Sequence, residues 1–314
     1  MDYVVGLDGG GTKTKVQICD LNGSEVQSTL AGSFNYNSSE KAELRKTLES
    51  IMHVICNLPG GIDACKGICM SAAGISNYEA KEFIRFSLIE LGFQCDIHIV
   101  GDQEAALYGA FAKPEGIVLI SGTGSICYGR NQNGKSHRTG GYGHLVDDEG
   151  SGYAIGRDIL KIAVQSCDKR IKHSVLLELV FEELNCNTVE EIIRFIYQAN
   201  WNKANIAALS PLLLKALTYG DASAIKIMNR AVDELFLLVN TTVQVLHLKE
   251  GNLALLGGIL THYEPLRDLL ISKLSKNIPT LKIVSPLHDS ATGAALIALK
   301  RYAMLHKSCE SCGR

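Results

Sequence analysis

Residues 9–13 are the first stretch of the chain whose residue types and spacing suggest chemistry. Three glycines follow a short apolar run and Asp8, and a hydroxyl-bearing and a basic residue come next. Without Cβ atoms, backbone N–H groups can approach a phosphate closely, and we expect these glycines to adopt angles that other residues avoid. The pattern predicts a phosphate-binding turn between two strands, although a glycine-rich hairpin without a ligand is the alternative. The residues predicted to contact the phosphate here are Gly10, Gly11, Thr12 and Lys13.

Two aspartates are predicted to lie at the ends of buried strands. Asp8 stands before the glycine turn, and because Mg²⁺ prefers carboxylate, water and phosphate oxygens, we expect Asp8 to hold a magnesium ion through water. Asp102 follows a strand predicted over residues 96–100 and Gly101, and it precedes a helical pattern. In open α/β sheets ligands bind outside the carboxyl ends of the strands, so Asp102 is expected to face a cleft. Capping the following helix is an alternative role for Asp102, and the two roles are compatible.

Residues 121–125, Ser-Gly-Thr-Gly-Ser, repeat the arrangement of residues 9–13. An apolar strand pattern precedes them, a second one follows, and an Asn-Gly pair comes after that, in the same order as around the first turn. The repetition indicates two copies of one unit, and two such turns facing one another would grip the two ends of a triphosphate. The ligand-free interpretation of either turn is therefore less favoured. The residues predicted to contact the nucleotide here are Gly122 and Thr123.

Residues 140–153 have a composition that suits sugar binding better than a core. The segment contains five glycines, three acids, a histidine and two tyrosines. Carboxylates accept hydrogen bonds from sugar hydroxyls, and an aromatic ring can cover the apolar face of a sugar. A solvated turn ahead of a helix that begins near Ser151 is the alternative, in which His144 is a structural residue.

A further glycine pair, Gly257-Gly258, follows the apolar residues 253–256 and opens a helix predicted from about Thr261. A strand, a turn and a helix in this order suit close backbone approach by a nucleotide, so both glycines are predicted nucleotide contacts. Ordinary close packing of the helix is the alternative.

The remaining pattern predicts the elements that must position these residues. The strands predicted to form an antiparallel meander at the start of the chain are residues 3–8, 13–20 and 25–30. Residues 151–248 are almost wholly helical in pattern, with a capping box at residues 188–191 and Asp221 as a second cap. This helical segment suggests packing and no chemistry, and its long apolar helices would suit a dimer interface.

The composition is that of a globular protein that acts on small molecules. The chain has 314 residues, enough for two domains, with 46% hydrophobic and 20% charged residues. A formal net charge of -2 provides no electrostatic footprint for nucleic acid or for an anionic membrane. The longest apolar stretches are interrupted by polar residues, and the chain does not open with a basic region followed by an apolar one. We therefore expect a cytoplasmic protein without a membrane span.

Ten cysteines is a high count, but their placement argues against a disulfide framework or a metal centre. Several stand singly in apolar runs, where a free thiol behaves as a small buried hydrophobe. These are Cys19, Cys56, Cys69, Cys127 and Cys167. Cys309 and Cys312 form a C-x-x-C pair, for which a frayed tail is favoured over a metal or redox role because the second half of a zinc site is missing.

Five motifs occur in an order that resembles a known family. They are Asp-Gly-Gly-Gly-Thr at 8–12, Gly-Asp at 101–102, Ser-Gly-Thr-Gly-Ser at 121–125, Gly-Tyr-Gly-His at 141–144 with Asp-Glu-Gly-Ser at 148–151, and Leu-Gly-Gly-Ile at 256–259. Together they resemble the N-acetylglucosamine kinase branch of the BadF/BadG/BcrA/BcrD ATPase family, within the actin, heat-shock ATPase and sugar kinase superfamily. The resemblance implies an α/β fold of two ribonuclease-H-like domains around a central cleft. Residues 1–114 and the C-terminal helix 290–306 would form one domain, and residues 115–289, with a helical insertion at about 151–248, the other.

The resemblance also implies an activity, the ATP-dependent phosphorylation of the 6-hydroxyl of an amino sugar. The residues implied at the phosphates and Mg²⁺ are Asp8, Thr12 and Thr123. Those implied near the adenosine are Gly257 and Gly258. Asp102 is implied as the catalytic base. The residues implied to bind the sugar are Asn35, Asp102, Ser125, Gly141, Tyr142, Gly143 and Asp148.

Three positions depart from the family's pattern. Tyr142 stands where Trp is frequent, Asp147 where Gly is usual, and Ile126 where some members have a polar contact. N-acetylglucosamine, N-acetylmuramic acid and glucosamine therefore all stay open as the sugar. The expected partners are ATP, Mg²⁺ and a second copy of the chain in a homodimer, without nucleic acid or membrane.

Two other functions compete with the kinase. Other branches of the family are ATPase activators of iron–sulfur dehydratases or reductases, a function that needs cysteine thiolates as cluster ligands. Cys127, just past the second turn, is the nearest cysteine to the predicted nucleotide site. The third function is a sugar-sensing module that binds its ligand without turnover.

Overall fold

The computed structural model describes residues 1–36, 40–72, 75, 78–198 and 201–312, of which residues 307–312 are described by their backbone alone. The chain divides into two compact units. Unit 1 comprises Met1–Glu115 and the residues from Ser285 onward, and unit 2 comprises Gly116–Val284.

Unit 1 is built on a five-stranded mixed sheet. Its elements before unit 2 are β1 (Tyr3–Gly9), β2 (Thr14–Asp20), β3 (Glu25–Ala31), α1 (Lys41–Cys56), β4 (Cys65–Ala72), α2 (Tyr78–Glu90), β5 (Asp96–Gly101) and α3 (Asp102–Phe111). The strand order is β3-β2-β1-β4-β5, in which β1 to β3 form the predicted antiparallel meander. β4 and β5 run parallel to β1, because α1 and α2 carry the chain back across the sheet.

Unit 2 repeats the same sheet in the same order and with the same strand directions. Its strands are β6 (Gly116–Ser121), β7 (Ser125–Arg130), β8 (Ser136–Gly140), β9 (Gly251–Leu256) and β10 (Leu281–Val284), arranged as β10-β9-β6-β7-β8. β8 was not predicted, because it is an edge strand of polar sequence without an apolar alternation. The two matching sheets with their helices confirm the predicted α/β fold class.

The helices of unit 2 lie mainly between β8 and β9. They are α4 (Gly152–Cys167), α5 (Leu176–Leu184), α6 (Val189–Ile196), α7 (Lys203–Ala207), α8 (Leu212–Thr218), α9 (Ala222–Val245), α10 (Gly258–His262) and α11 (Glu264–Asn277). The predicted capping box is confirmed, since the Thr188 hydroxyl accepts from the Glu191 amide while the Glu191 carboxylate accepts from the Thr188 amide. The predicted cap at Asp221 is also confirmed, because its carboxylate accepts from two amides of the first turn of α9. The helix predicted from about Thr261 begins earlier, at Gly258, and breaks at Tyr263.

The last helix, α12 (Ser290–Cys312), belongs to unit 1. Apolar residues of the sheet, among them Val4, Cys19 and Cys69, form one cluster with the small side chains of α12. Residues 285–289 were predicted in the second domain, but they also lie in unit 1. The reason is backbone pairing with the end of α3: the amides of Leu287 and His288 donate to the carbonyls of Ala110 and Gly109 at 3.0 and 2.9 Å.

Glycines bring α12 into backbone contact with its neighbours. A Cβ at Gly293 would lie 2.0 Å from the carbonyl oxygen of Ala105 and 2.4 Å from the amide nitrogen of Gly109, both on α3. A Cβ at Gly6 on β1 would lie 2.2 Å from the carbonyl oxygen of Ala291 on α12. Side chains at these positions would force the elements apart.

The cysteines follow the prediction in part. Cys19, Cys69 and Cys127 are buried, whereas Cys56 and Cys167 are exposed. The prediction fails for these two because they are the last residues of α1 and α4, where the chain leaves the core. The side chains of the C-terminal pair, Cys309 and Cys312, lie outside the described part of the chain. In the part that is described, no helix is both long enough and apolar enough to cross a membrane.

Candidate active site

The first glycine turn joins β1 to β2 and is closed by a hydrogen bond from the Gly10 amide to the Lys13 carbonyl at 3.0 Å. None of its glycines has a φ in the left-handed region, so the expectation of unusual backbone angles is wrong. Gly9 is needed for space, because a Cβ there would lie 3.0 Å from Cβ of Phe34. A Cβ at Gly11, by contrast, would have no atom of the described residues within 4 Å, apart from its own chain neighbours. The turn therefore leaves open space where the phosphate was predicted.

The second glycine turn joins β6 to β7 in the same way. Its closing hydrogen bond runs from the Gly122 amide to the Gly124 carbonyl at 2.9 Å, so this turn is one residue shorter than the first. Within the described part of the chain, a Cβ at Gly122 would also have no atom within 4 Å other than those of its chain neighbours. Each unit thus presents one turn that a backbone hydrogen bond closes and that has a glycine with open space beside it.

Replacing either open glycine is expected to weaken nucleotide binding without affecting the fold. In Gly11→Ala and Gly122→Ala the new methyl group would enter the space proposed for phosphate, at a cost of about 1–3 kcal/mol, or roughly 5- to 150-fold in the KM for ATP. Melting temperatures should stay at the parent value. Gly251→Ala is the matched control. A Cβ there has its nearest atom at 3.7 Å, and Gly251 is the first residue of β9, outside both turns. An unchanged KM for ATP in both test variants would contradict a phosphate role for the turns.

Asp8 lies at the carboxyl edge of the sheet of unit 1. The parallel strands bring Gly9, Ala72 and Gly101 into register at this edge. The Ser71 hydroxyl donates to Oδ1 of Asp8 at 3.1 Å. Burial raises the pKa of Asp8 to about 6, against the lowering effect of the Ser71 hydrogen bond.

Other charged groups surround Asp8. The negative charges of Asp102 and Asp289 raise its pKa further, and the positive charge of Lys15, its partner in the β1–β2 register, lowers it. The carboxylates of Asp8, Asp102 and Asp289 are therefore close enough to influence one another, and Lys15 supplies one positive charge against them. The excess of negative charge around Asp8 suits the binding of a cation.

Asp102 is the first residue of α3, directly after β5. The N-cap position belongs to Gly101, and no side chain caps the helix there. Oδ1 of Asp102 instead accepts the Gln103 amide at 3.0 Å. The alternative prediction, that Asp102 is the N-cap residue, is therefore wrong by one position. The Asp102 carboxylate nevertheless accepts a hydrogen bond from one amide of the first turn of α3.

Two charged residues near Asp8 had no role predicted from the sequence. Lys15 forms an ion pair with Oδ2 of Asp289, and Oδ1 of Asp289 accepts the Thr292 amide at 3.0 Å at the start of α12. Burial alone would raise the pKa of Asp289, but the hydrogen bonds from Lys15 and Thr292 lower it below its ordinary value. An aspartate just before a helix is a local signal for such a cap, whereas its pairing with Lys15 has no local signal.

The Asp8→Asn variant is expected to be more stable than the parent above pH 6. Because the pKa of Asp8 rises from 3.8 to about 6 on folding, ionisation of the folded protein costs stability that accumulates between pH 4 and pH 6. Asn keeps the acceptor for Ser71 and removes this cost, so the gain at pH 7 should reach up to about 3 kcal/mol. Urea unfolding at pH 7 and pH 4 measures it. A difference of equal size at both pH values would contradict the titration of Asp8.

Asp148 is the most constrained of the predicted sugar residues. It is 4% exposed, and its φ of 64° lies in the left-handed region that residues with a Cβ rarely adopt. Burial raises the pKa of its carboxyl group, opposed by hydrogen bonds from the backbone of Ser125 and Gly143. A Cβ at Gly124 would lie 2.9 Å from Oδ2 of Asp148. The structure therefore brings Asp148, Ser125 and Gly143 together at the second turn.

Tyr142 is the exposed aromatic residue of the same loop. Its side chain is 65% exposed, and the Arg138 guanidinium lies 4.5 Å from the centre of the ring. Nη2 and Nε of Arg138 donate to the carbonyls of Gly141 and Gly140, at 2.5 and 2.9 Å. Arg138 thus supports the ring and the turn, a role that was not predicted from the sequence. His144 packs its ring edge-on against Tyr153, consistent with the structural alternative for this histidine.

Asn35 lies beside the first turn, because the amide of the preceding residue, Phe34, donates to the Gly10 carbonyl at 2.9 Å. Gly257 has a packing requirement of its own: its φ is 90°, and a Cβ there would lie 2.3 Å from the carbonyl oxygen of Ser121. This contact supports the packing alternative for Gly257. Gly258 is open, because a Cβ there would have its nearest atom, Cδ2 of His262, at 3.9 Å.

The duplicated mixed sheets, each with a glycine turn after its first strand, define the α/β fold of the actin-like ATPases and sugar kinases. The family model for the BadF/BadG/BcrA/BcrD ATPase family matches residues 5–298. The chain belongs to this family, and the resemblance found in the sequence is confirmed.

Individual relatives are similar over nearly their whole length. The chain is 40% identical over 301 residues to the N-acetylmuramic acid/N-acetylglucosamine kinase of Clostridium acetobutylicum, with 95% of this chain and 98% of the relative covered. It is 33% identical to the N-acetyl-D-glucosamine kinase of Dictyostelium discoideum, with 95% and 98% covered. The crystal structure of a candidate N-acetylglucosamine kinase from Chromobacterium violaceum superposes with a TM-score of 0.80 at 24% identity, covering 95% of this chain and 99% of that one.

Cys127, the candidate ligand for an iron–sulfur cluster, lies inside the core of unit 2. Its side chain is 0% exposed on β7, and burial raises the pKa of its thiol to about 12. A thiol in this environment is neutral at physiological pH, whereas a cluster ligand is an accessible thiolate. Cys127 therefore does not support the alternative function, the activation of iron–sulfur enzymes.

Proposed function

We propose that this protein is an ATP-dependent amino-sugar kinase that transfers the γ-phosphate to the 6-hydroxyl of N-acetylglucosamine or a related sugar. The observation that carries the proposal is the pair of equivalent turns, each with a glycine open to a ligand at the end of a strand. Backbone amides presented in this way suit phosphate groups. The names of the two relatives, which are amino-sugar kinases, support the same activity.

The roles follow from what phosphoryl transfer requires, which is positioning, charge neutralisation and an acceptor for the hydroxyl proton. Asp102 is the proposed base, because it is a carboxylate at the edge of the sheet where the first turn lies. The proposed nucleotide contacts are Gly10, Gly11, Thr12, Lys13, Gly122, Thr123, Gly257 and Gly258. The proposed sugar contacts are Asn35, Asp102, Ser125, Gly141, Tyr142, Gly143 and Asp148.

Magnesium is the proposed metal ion, and Asp8 would hold it through water. The residues present fit a cation, because the raised pKa of Asp8 reflects burial and an excess of neighbouring carboxylates over the one lysine. A bound divalent ion would neutralise charge on the phosphates of ATP. The ionised form of Asp8 would be favoured by the ion, so the use of Mg·ATP should weaken as the pH falls below 6.

The proposed sugar substrate is N-acetylglucosamine or N-acetylmuramic acid, and glucosamine is the third candidate. The exposed ring of Tyr142, supported by Arg138, is a surface on which a sugar face could lie. Tyr142, Asp147 and Ile126 are the positions at which this chain departs from the family's pattern, and they are the first to examine for specificity.

ADP release measured across a panel of amino sugars tests the proposed function. N-acetylglucosamine, N-acetylmuramic acid and glucosamine are each offered with Mg·ATP, and glucose serves as the comparison without an amino group. The expected result is ADP release well above the sugar-free rate for at least one amino sugar. ADP release at the sugar-free rate with all three would exclude the kinase, and binding of a sugar without turnover would indicate the sensing module.

Two further properties are proposed, an oligomeric state and a location. A homodimer is proposed because the helices of unit 2 include exposed apolar side chains, such as Leu237 on α9. A cytoplasmic location is proposed because the substrates of the reaction include ATP. Sedimentation velocity of the purified protein measures the first.

A further inference from the structure

Two arginines and two carboxylates form a closed ring of ion pairs next to Asp148. Nη2 of Arg157 donates to both carboxylate oxygens of Glu149, at 2.9 and 3.1 Å, and Nη2 of Arg230 donates to Oε2 of Glu149 at 3.3 Å. Each arginine also reaches Asp158 at 3.4 Å. Arg157 and Asp158 lie on α4 and Arg230 lies on α9. This ring, which we call the Glu149 clamp, therefore ties one loop residue to two helices.

The main chain of the clamped residue is fixed as well. The Ser125 hydroxyl donates to the Glu149 carbonyl at 2.7 Å, and the Ser121 hydroxyl donates to the carbonyl of Gly150 at 2.9 Å. The loop after Asp148 is thus bonded at its backbone to the second glycine turn and at its side chain to α4 and α9.

The conformation of Asp148 requires such support. A residue with a Cβ in the left-handed region is strained, and the strain persists where the surrounding structure over-determines the backbone. Asp148 has its φ of 64° immediately before the clamped residue. Ion pairs between partly exposed side chains contribute little to the free energy of unfolding. The clamp is better explained by its effect on the position of Glu149 and of the backbone next to it. This effect comes from how the donors are divided: Nη2 of Arg157 bridges both oxygens of Glu149, and the two Nη atoms of Arg230 reach Glu149 and Asp158 separately. The planar guanidinium of Arg230 therefore spans the two carboxylates and fixes the position of Glu149 between α4 and α9.

We propose that Arg157 and Arg230 are positioning residues for sugar binding, which fix Glu149 and so hold Asp148 in the conformation in which its carboxylate accepts a sugar hydroxyl. The proposal rests on the proposed function, in which Asp148 binds the sugar. It assigns to α9 a role in the site that no motif of the sequence indicated. Neither arginine is among the proposed sugar or nucleotide contacts, so their loss should change affinity for the sugar through Asp148 and leave the nucleotide steps intact.

The test is Arg230→Met, which keeps the apolar stem of the side chain and removes its charge. The Kd and KM for the sugar are expected to rise between about two- and thirtyfold, with the KM for ATP and the melting temperature close to the parent values. Arg230→Lys, which restores the charge without the planar fork, should give an intermediate Kd. Lys273→Met is the matched control, because Lys273 pairs with Asp233 one turn further along α9 and has no contact with the clamp. Its sugar Kd should equal that of the parent.

The possible outcomes distinguish a failure of the positioning role from a failure of the proposed kinase function. A parent protein that releases no ADP with any amino sugar overturns the proposed function. A parent that is active, with Arg230→Met binding sugar at the parent Kd, overturns the positioning role alone. A joint loss of sugar affinity, ATP use and melting temperature would show a structural brace and also overturn it. If Arg230→Met does not fold, Glu149→Gln carries the same measurement, and failure of both variants to fold counts against the proposal.

Discussion

The Asp102→Asn variant is expected to keep its fold and its affinity for sugar while its kcat falls about 10²- to 10⁴-fold, the usual contribution of a general base. Asn has the same shape, and its side-chain oxygen can still accept the Gln103 amide that Asp102 binds at 3.0 Å. What it lacks is the ability to take up the proton of the sugar hydroxyl. The measurements are kcat, the sugar Kd by calorimetry, and the melting temperature of the same preparations.

Asp148→Asn is the matched comparison, because it removes the other carboxylate proposed to meet the sugar. Its KM for the sugar should rise, since Asp148 is proposed as an anchor and not as the base. If Asp102→Asn turns over at the parent rate, or loses its fold, the catalytic role of Asp102 is wrong. In the second case the bond to the Gln103 amide would be its main function.

The Gly293→Ala variant is expected to be severely destabilised, by about 3–5 kcal/mol, a large part of the 5–15 kcal/mol that typically holds a protein folded. The added Cβ would lie 2.0 Å from the Ala105 carbonyl oxygen and 2.4 Å from the Gly109 amide nitrogen. Both are backbone atoms inside α3, so no side-chain rotation can relieve the overlap and the two helices must separate.

Urea unfolding compared with that of Gly251→Ala measures the effect, because the control adds the same methyl group where 3.7 Å is available. Both variants change the entropy of the unfolded chain in the same way, so their difference isolates the overlap between helices. A Gly293→Ala variant that unfolds at the same urea concentration as Gly251→Ala would contradict the backbone contact between α12 and α3.

The sequence predicted those features that depend on neighbouring residues. The meander at the start of the chain, the capping box at Thr188 and the cap at Asp221 follow from turn and cap chemistry within a few positions. The two glycine turns were likewise visible because each lies within five residues. The motif order identified the family for the same reason, since each motif is local and the order of the motifs is read directly.

Features that depend on distant residues were not predictable. Lys15 and Asp289 are 274 positions apart, and Glu149 and Arg230 are 81 apart, so no local pattern pairs them. Left-handed backbone was expected at the glycines of the first turn, but in the candidate site it lies at Asp148 and at the nearby Gly141 and Gly143. β8 was missed because an edge strand needs few apolar residues.

Because α12 belongs to unit 1, the order in which the ribosome synthesises the chain affects when unit 1 can complete its fold. The face of the sheet formed by Val4, Cys19 and Cys69 is covered by α12, whose residues are translated after the whole of unit 2. At about 5–20 residues per second, this face stays uncovered for roughly ten to forty seconds before α12 is made. Meanwhile unit 2, which needs no later segment, can fold. The unit that is synthesised first is therefore the last to be completed, and its uncovered sheet is the surface of the nascent chain that chaperones would protect.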